Sequence, residues 1–331
     1  MKRKTSVVLL MLVMVLAVSL MPSMAQDDVF RVAAVAPSAT ADLAFSQSMY
    51  DALLTIKAEL GEDNFDFVFQ EGTFIVDDAA VALREWAASG DYDLIIAHGS
   101  QYGSILEEMA PEFPETSFAW GTDQNTFGLD NVFAYTAASE EGGYINGVLA
   151  ATLTETGVVG VIGPIEVGDA KLYVDGFVAG AVATDPDVTV NVTYIQSFSD
   201  VPLATEAGTT HIANGADVLT GTAQMVVGPI AVGKTEGILW FGTQSSQAEL
   251  SAESGVMFQV YRWEVVLMDM IGLINEGTLG GQAYTINLAN GGLVMEAGGA
   301  FADGSGAALM ELAVAGLIDD IVSGSVVIFG E

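Results

Sequence analysis

No cysteine occurs in the 331 residues, which excludes disulfides, thiolate metal sites, a cysteine nucleophile and a lipid-modified N-terminal cysteine. Histidine is nearly absent: His98 and His211 are the two present, and without thiolates they leave no histidine-built metal cluster. Positive charge is the third shortage. Nine Lys and Arg stand against 43 Asp and Glu, a formal charge of −34, and so acidic a surface repels nucleic acid and anionic lipid. Beyond residue 4 only Arg31, Lys57, Arg84, Lys171, Lys234 and Arg262 are basic, so each is informative. Carboxylates are so numerous that any two make an imaginable acid–base pair, and none is singled out as catalytic.

The one long apolar run lies at the start. Lys2, Arg3 and Lys4 precede an apolar stretch over 7–20 and a small-x-small triplet, Ser23-Met24-Ala25, the order of a secretory signal peptide over 1–25. An extracytoplasmic location, periplasmic, secreted or cell-surface, is expected. The remaining length exceeds what one core usually supports, so two lobes are expected.

The chain is organised around residues 29–60. Their pattern predicts a strand over 32–35, a polar turn from Pro37 to Asp42, and a helix carrying Met49, Ala52, Leu53, Ile56 and Leu60 on one face. In open α/β sheets a ligand crevice lies beyond the carboxyl ends of the strands, which nominates Ser38, Asp42, Phe45, Ser46 and Gln47. Phe45 has two readings, first apolar anchor of the helix or ring that stacks on a ligand. Strands and helices alternate onward to about Ala137, and a second series of similar order follows from 158 to 242. Between them, Glu141-Gly-Gly-Tyr-Ile-Asn-Gly147 is a helix start rich in small residues, which implies close packing and a new lobe. The strand over 255–261 and helix over 263–274 read as a return to the first lobe. The tail, with strands over 284–286, 293–295 and 326–329 and a helix over 307–322, reads as a return to the second. The expected architecture is therefore α/β, two doubly wound parallel-sheet lobes joined by a three-crossing hinge, with 30–137 plus 259–280 in lobe 1 and 138–258 plus 281–331 in lobe 2.

Gly157-Val-Val-Gly160-Val-Ile-Gly163 places its glycines before and within a strand, which is not the strand-then-glycines-then-helix order of a dinucleotide site. His98, in Ala-His-Gly99-Ser-Gln-Tyr-Gly, reads as a base, a hydrogen-bond donor to a ligand or a loop residue, and no Gly-x-Ser-x-Gly elbow surrounds it. Polar and aromatic residues recur at strand ends: Asp42, Phe45 and Gln47, then His98 with Gly99 and Gln101, then Asp123 with Gln124. From the second series come Asp169 and Tyr173, Phe198, Gln224 and Gln244. Amides, carboxylates and rings facing one another across a hinge suit a flat, polyhydroxylated, neutral ligand.

These residues also resemble a family, the basic membrane protein family of ABC-transporter solute-binding proteins, which includes purine-nucleoside receptors. Asp42-x-x-Phe45-x-Gln47-x-x-Tyr-Asp-Ala is similar to its opening motif, and Pro114-Glu-Thr-Ser-Phe-Ala to a later strand start. Further matches in register are Asn131-Val through Glu141-Gly-Gly-Tyr-Ile-Asn-Gly-Val-Leu-Ala-Ala, Tyr173-Val-Asp-Gly-Phe-Val-Ala-Gly-Ala, Ser197-Phe-Ser-Asp200, Gly215-Ala-Asp-Val and Ser323-Gly-Ser-Val-Val. The resemblance implies a type I periplasmic-binding-protein fold that closes on its ligand and delivers it to membrane permease subunits. It also implies a base held between Phe45 and Phe198. Three departures stand out: Ser46 where the family has Asn, Gly242-Thr-Gln244-Ser-Ser-Gln247 where it has two Asp before the return strand, and Arg262 where it has Lys. Arg262 is open to two readings, donor near the hinge or surface ion pair.

The expected protein is thus a monomeric, non-enzymatic, cofactor-free receptor for a purine nucleoside or nucleobase. A sugar or other small-metabolite receptor of the same fold, a ligand sensor, and a nucleoside-cleaving hydrolase are the alternatives.

Overall fold

The computed structural model describes residues 29–301 and 307–329; the expected signal peptide lies outside them. Chain order is β1 (Phe30–Val35), α1 (Phe45–Leu60), β2 (Phe65–Gln70), α2 (Val76–Ser89), β3 (Leu94–His98), α3 (Gly103–Met109), β4 (Ser117–Gly121) and β5 (Val132–Ala137). Next come α4 (Ser139–Leu153), β6 (Val158–Gly163), α5 (Gly168–Thr184), β7 (Thr189–Tyr194), α6 (Val201–Ala213), β8 (Val218–Gly221), α7 (Val227–Glu236) and β9 (Leu239–Thr243). The chain closes with α8 (Gln247–Leu250), β10 (Gly255–Tyr261), α9 (Glu264–Asn275), β11 (Ala283–Ile286), β12 (Leu293–Ala297) and α10 (Ala307–Val322).

Two six-stranded sheets result, ordered β11-β5-β4-β3-β1-β2 and β12-β10-β9-β8-β6-β7. The first is parallel throughout, and the second is parallel except for β12, which runs against β10. Helices cover both faces of each sheet, which is why β3 and β4 are buried at every position and read as continuous apolar runs. One face of the first sheet packs Met49, Leu53 and Ile56 of α1 against Val266, Leu267 and Met270 of α9. The periodic positions Met49, Ala52, Leu53 and Ile56 are all buried.

The chain passes between the lobes three times, at β5–α4, β10–α9 and β11–β12. Two strands join the opposite sheet from the one expected. β10 pairs parallel with β9, as an interior strand of the second sheet, and β11 pairs parallel with β5 at the edge of the first. Both are short apolar runs, and such a run carries no mark of which sheet it will join. Residues 326–329 form bends and irregular backbone rather than a strand. No helix among the described residues is long and apolar enough to cross a membrane.

Glycines explain how α4 and α5 meet. A Cβ at Gly143 or Gly147 would lie 2.3 or 2.0 Å from the carbonyl oxygens of Tyr173 and Phe177, and one at Gly176 or Gly180 would lie 2.3 or 2.1 Å from those of Glu140 and Tyr144. Gly160 has a similar role inside β6: a Cβ there would fall 2.6 Å from the Cβ of His211. The 157–163 segment is therefore a packing element, with its later glycines in the strand.

Candidate functional site

The carboxyl ends of β1, β3 and β4 face those of β6, β8 and β9 across a cavity of about 260 Å³. From the first lobe its wall takes Pro37, Ala44, Phe45, Phe74, Thr122 and the segment Gly99–Gln101. The second lobe supplies Val167–Ala170, Phe198, Thr222–Gln224, Thr243 and Gln244, and Tyr261 stands where the chain crosses back. Of the residues expected at a ligand, Phe45, Gly99, Gln101, Asp169, Phe198, Gln224 and Gln244 line this cavity.

Phe45 is the first residue of α1. Its ring packs against the core of the first lobe while lining the cavity. Behind it lies His98, ring centroids 3.9 Å apart and planes 9° from parallel. His98 is fully buried at the end of β3. Its Nε2 is 3.2 Å from the carbonyl oxygen of Phe45, which only accepts, so Nε2 carries the proton; Nδ1 then accepts from the Tyr135 hydroxyl at 2.8 Å. Burial pushes the imidazole pKa down to about 3, against a smaller upward pull from that carbonyl. His98 is thus a neutral prop behind Phe45 and does not line the cavity.

Six other expected contacts have structural jobs. The Asp42 carboxylate accepts from the backbone N–H groups of Ala44, Ser46 and Gln47 at 2.9–3.1 Å, satisfying orphan donors at the start of α1. Ser46 Oγ accepts from Ser38 N at 3.0 Å and Gln47 Oε1 from Leu43 N at 3.0 Å, so both tie down the 38–47 loop. Asp123 folds its own turn, accepting from the N–H of Gln124 and Asn125. Tyr173 lies in the second core, its hydroxyl between Thr220 Oγ1 at 2.7 Å and Asn146 Nδ2 at 3.0 Å. Arg262 pairs with Glu296 at 3.2 Å and Glu264 at 4.0 Å, in a smaller polar pocket on the far side of Gln244 and Tyr261.

Sequence reasoning missed Phe74, Thr122 and Tyr261. Phe74 precedes a helix rather than following a strand immediately, and Tyr261 closes a strand assigned to the wrong lobe. Asp169 links these residues. Its Oδ2 accepts from the Tyr261 hydroxyl at 3.0 Å and its Oδ1 from Thr122 Oγ1 at 3.4 Å, and the Tyr261 hydroxyl also meets Ser139 Oγ. Burial raises the carboxyl pKa, while the hydrogen bonds from Tyr261 and Thr122 pull it down. Burial lifts the Tyr261 hydroxyl well above its ordinary value, and the charge of Asp169 adds to this.

Among the described residues two hydrogen bonds join the lobes across the cavity: Thr122 to Asp169, and Gln247, whose Nε2 donates to the carbonyl oxygen of Leu43 at 3.2 Å. Leu43, Ala223 and Gln244 all take positive φ, 57°, 73° and 106°, a conformation costing roughly 1–3 kcal/mol for a residue with a side chain and found where a binding site over-determines the backbone. Gln244 is held by its surroundings: its N–H donates to the Gln259 carbonyl at 2.6 Å and its Oε1 accepts from Tyr261 N at 3.2 Å. Among the described residues no group of three or more His, Asp or Glu is placed to hold a metal ion.

Two parallel-sheet α/β lobes, crossed three times by the chain and enclosing a cavity at their strand ends, define the type I periplasmic-binding-protein fold. Residues 29–303 match the Bmp family, described as ABC transporter substrate-binding protein PnrA-like, and the chain belongs to that family. A purine-binding protein of Brucella abortus is 27% identical over 216 residues, 65% of this chain and 61% of its own length. The chain thus spans about three-fifths of that relative. The transcriptional activator protein Med of Bacillus subtilis is 25% identical over 262 residues, 79% of this chain and 80% of its own. The structure of an ABC transporter solute-binding protein from Conexibacter woesei superposes with a TM-score of 0.74 at 23% identity, over 91% of this chain and 100% of that one.

Proposed function

We propose that this protein is the extracytoplasmic receptor of an ABC importer, enclosing a purine nucleoside or nucleobase between its lobes and presenting it to permease subunits. The observation that carries this reading is the cavity wall: Phe45, Phe74 and Phe198 supply aromatic surface, and Gln101, Gln224 and Gln244 supply amides that both donate and accept. Rings that stack and amides that read a polar edge are what a flat heterocycle needs. Among the described residues no basic side chain lines the cavity, which disfavours phosphates and carboxylates as ligands. The Brucella relative, named a purine-binding protein, agrees with this choice.

A thermal-shift screen of the purified protein against nucleosides, nucleobases and simple sugars tests it, because a ligand that binds only the folded state raises Tm. A rise with purine nucleosides or bases is the expected result. A rise with sugars alone would replace the purine by a sugar in the same receptor, and release of free base from a nucleoside would make the protein a hydrolase.

A further inference from the structure

Among the described residues Asp169 is the single charged side chain in the cavity wall, and no basic residue shares that wall with it. Lys171, two residues along α5, is engaged by Asp175. The Asp169 carboxylate accepts from the Tyr261 hydroxyl and, across the lobes, from Thr122, with a smaller contribution from the backbone N–H groups of Asp169 and Ala170, and none of these donors carries a positive charge. Closure therefore takes a negative charge out of water without a countercharge, a cost that only hydrogen-bond donors or a cation can offset. A ligand that brings two donors lowers that cost, and one that brings a second negative charge raises it.

From this we infer that Asp169 is the specificity-determining residue of the cavity: it selects ligands that present paired N–H or O–H donors and rejects anionic ones. The inference rests on the reading of this cavity as the ligand site. For a purine nucleoside the donors come from the ribose hydroxyls or from the N–H edge of the base, and both meet the carboxylate in the same way. Thr122 lies on the opposite lobe, so the carboxylate that reads the ligand is also one of the contacts that hold the lobes together.

Isothermal titration calorimetry separates the possibilities, using native protein and Asp169→Asn with inosine, its dideoxy analogue without both ribose hydroxyls, its analogue methylated at the base N–H, hypoxanthine, and inosine monophosphate. Asp169→Asn should weaken inosine about 10-fold or more, the scale of hydrogen bonds to a charged group. It should lose less on one of the two analogues, which identifies the donor source, and the penalty for the phosphate should shrink. Tyr261→Phe, which leaves the carboxylate in place but removes a donor that positions it, should give a smaller loss in the same pattern. Native affinity of Asp169→Asn for inosine, or an equal loss on inosine, both analogues and the free base, would overturn the inference. Failure of the native protein to bind any purine would instead overturn the nucleoside reading. D-Ribose and D-glucose then enter the same comparison, and native affinity of Asp169→Asn for whichever binds would overturn the role of Asp169.

Discussion

The His98 imidazole lies flat against the Phe45 ring at 3.9 Å and bonds to the carbonyl of that same residue. One buried side chain therefore fixes both the ring and the backbone of a residue in the cavity wall. Trp263 closes the cluster edge-on, 6.4 Å from Phe45 and 5.6 Å from His98, and donates through Nε1 to Ser48 Oγ at 2.9 Å.

Because Phe45 is only partly buried, Phe45→Ala should lower stability by about 2 kcal/mol, short of the 3–5 kcal/mol for a fully buried ring. It should also weaken ligand binding. Urea unfolding paired with calorimetry measures both; a stability loss with unchanged affinity would make Phe45 a core residue alone.

The buried neutral state of His98 makes stability depend on pH. Its folded pKa of about 3 lies below the ordinary value of 6.5, so between those limits the unfolded chain binds the extra proton. The contribution is complete above about pH 6.5 and is lost as pH falls toward 3, by up to about 1.4 kcal/mol per pH unit. Burial raises the carboxyls of Asp51, Glu140, Glu141, Asp169 and Glu264, and these favour the folded state at low pH. The measurement is thus a difference: urea midpoints of native protein and His98→Gln from pH 7 to 4 should converge as pH falls. Parallel curves would show that His98 titrates alike in the folded and unfolded chain.

Gly147→Ala should destabilise by about 3 kcal/mol, since a Cβ 2.0 Å from the Phe177 carbonyl forces α4 and α5 apart. Gly272→Ala, in α9 with nothing within 4 Å of its Cβ, should be neutral or stabilising by about 1 kcal/mol. Thermal unfolding of the two variants, made in parallel, tests the close approach of the helices; equal Tm values would refute it.

Arg262→Met should leave ligand affinity within about twofold, because the guanidinium pairs with Glu296 and Glu264 outside the cavity and exposed pairs contribute about 1 kcal/mol or less. A tenfold loss in a titration with any ligand that binds the native protein would put Arg262 in the site.

Much of the fold was legible because periodicity is local. Met49, Ala52, Leu53 and Ile56 announce a helix face wherever the helix goes, and the all-buried runs at 94–98 and 117–121 announce strands covered on both sides. The small-residue helix start at 141–147 likewise foretold close packing, which Gly143 and Gly147 make against Tyr173 and Phe177. Position after a strand was also informative, and it brought Phe45, Gly99, Gln101, Asp169, Phe198, Gln224 and Gln244 to the cavity.

What each of those residues does there depends on distant partners. Asp42 follows the same strand as Phe45, yet its carboxylate turns back to cap α1, because three backbone donors lie closer than any ligand. Tyr173 and Asp169 are four residues apart on one face of α5, one turn above the other, and the turn at the helix start reaches the cavity while the next turn lies in the core. Tyr261 and Thr122 meet Asp169 from 92 and 47 residues away. Composition and period are properties of neighbouring residues, and they established two α/β lobes and an acidic, cysteine-free surface. The sheet that β10 and β11 join, the wall that Tyr261 and Phe74 complete, and the outward turn of Arg262 depend on long-range packing, which no local pattern encodes.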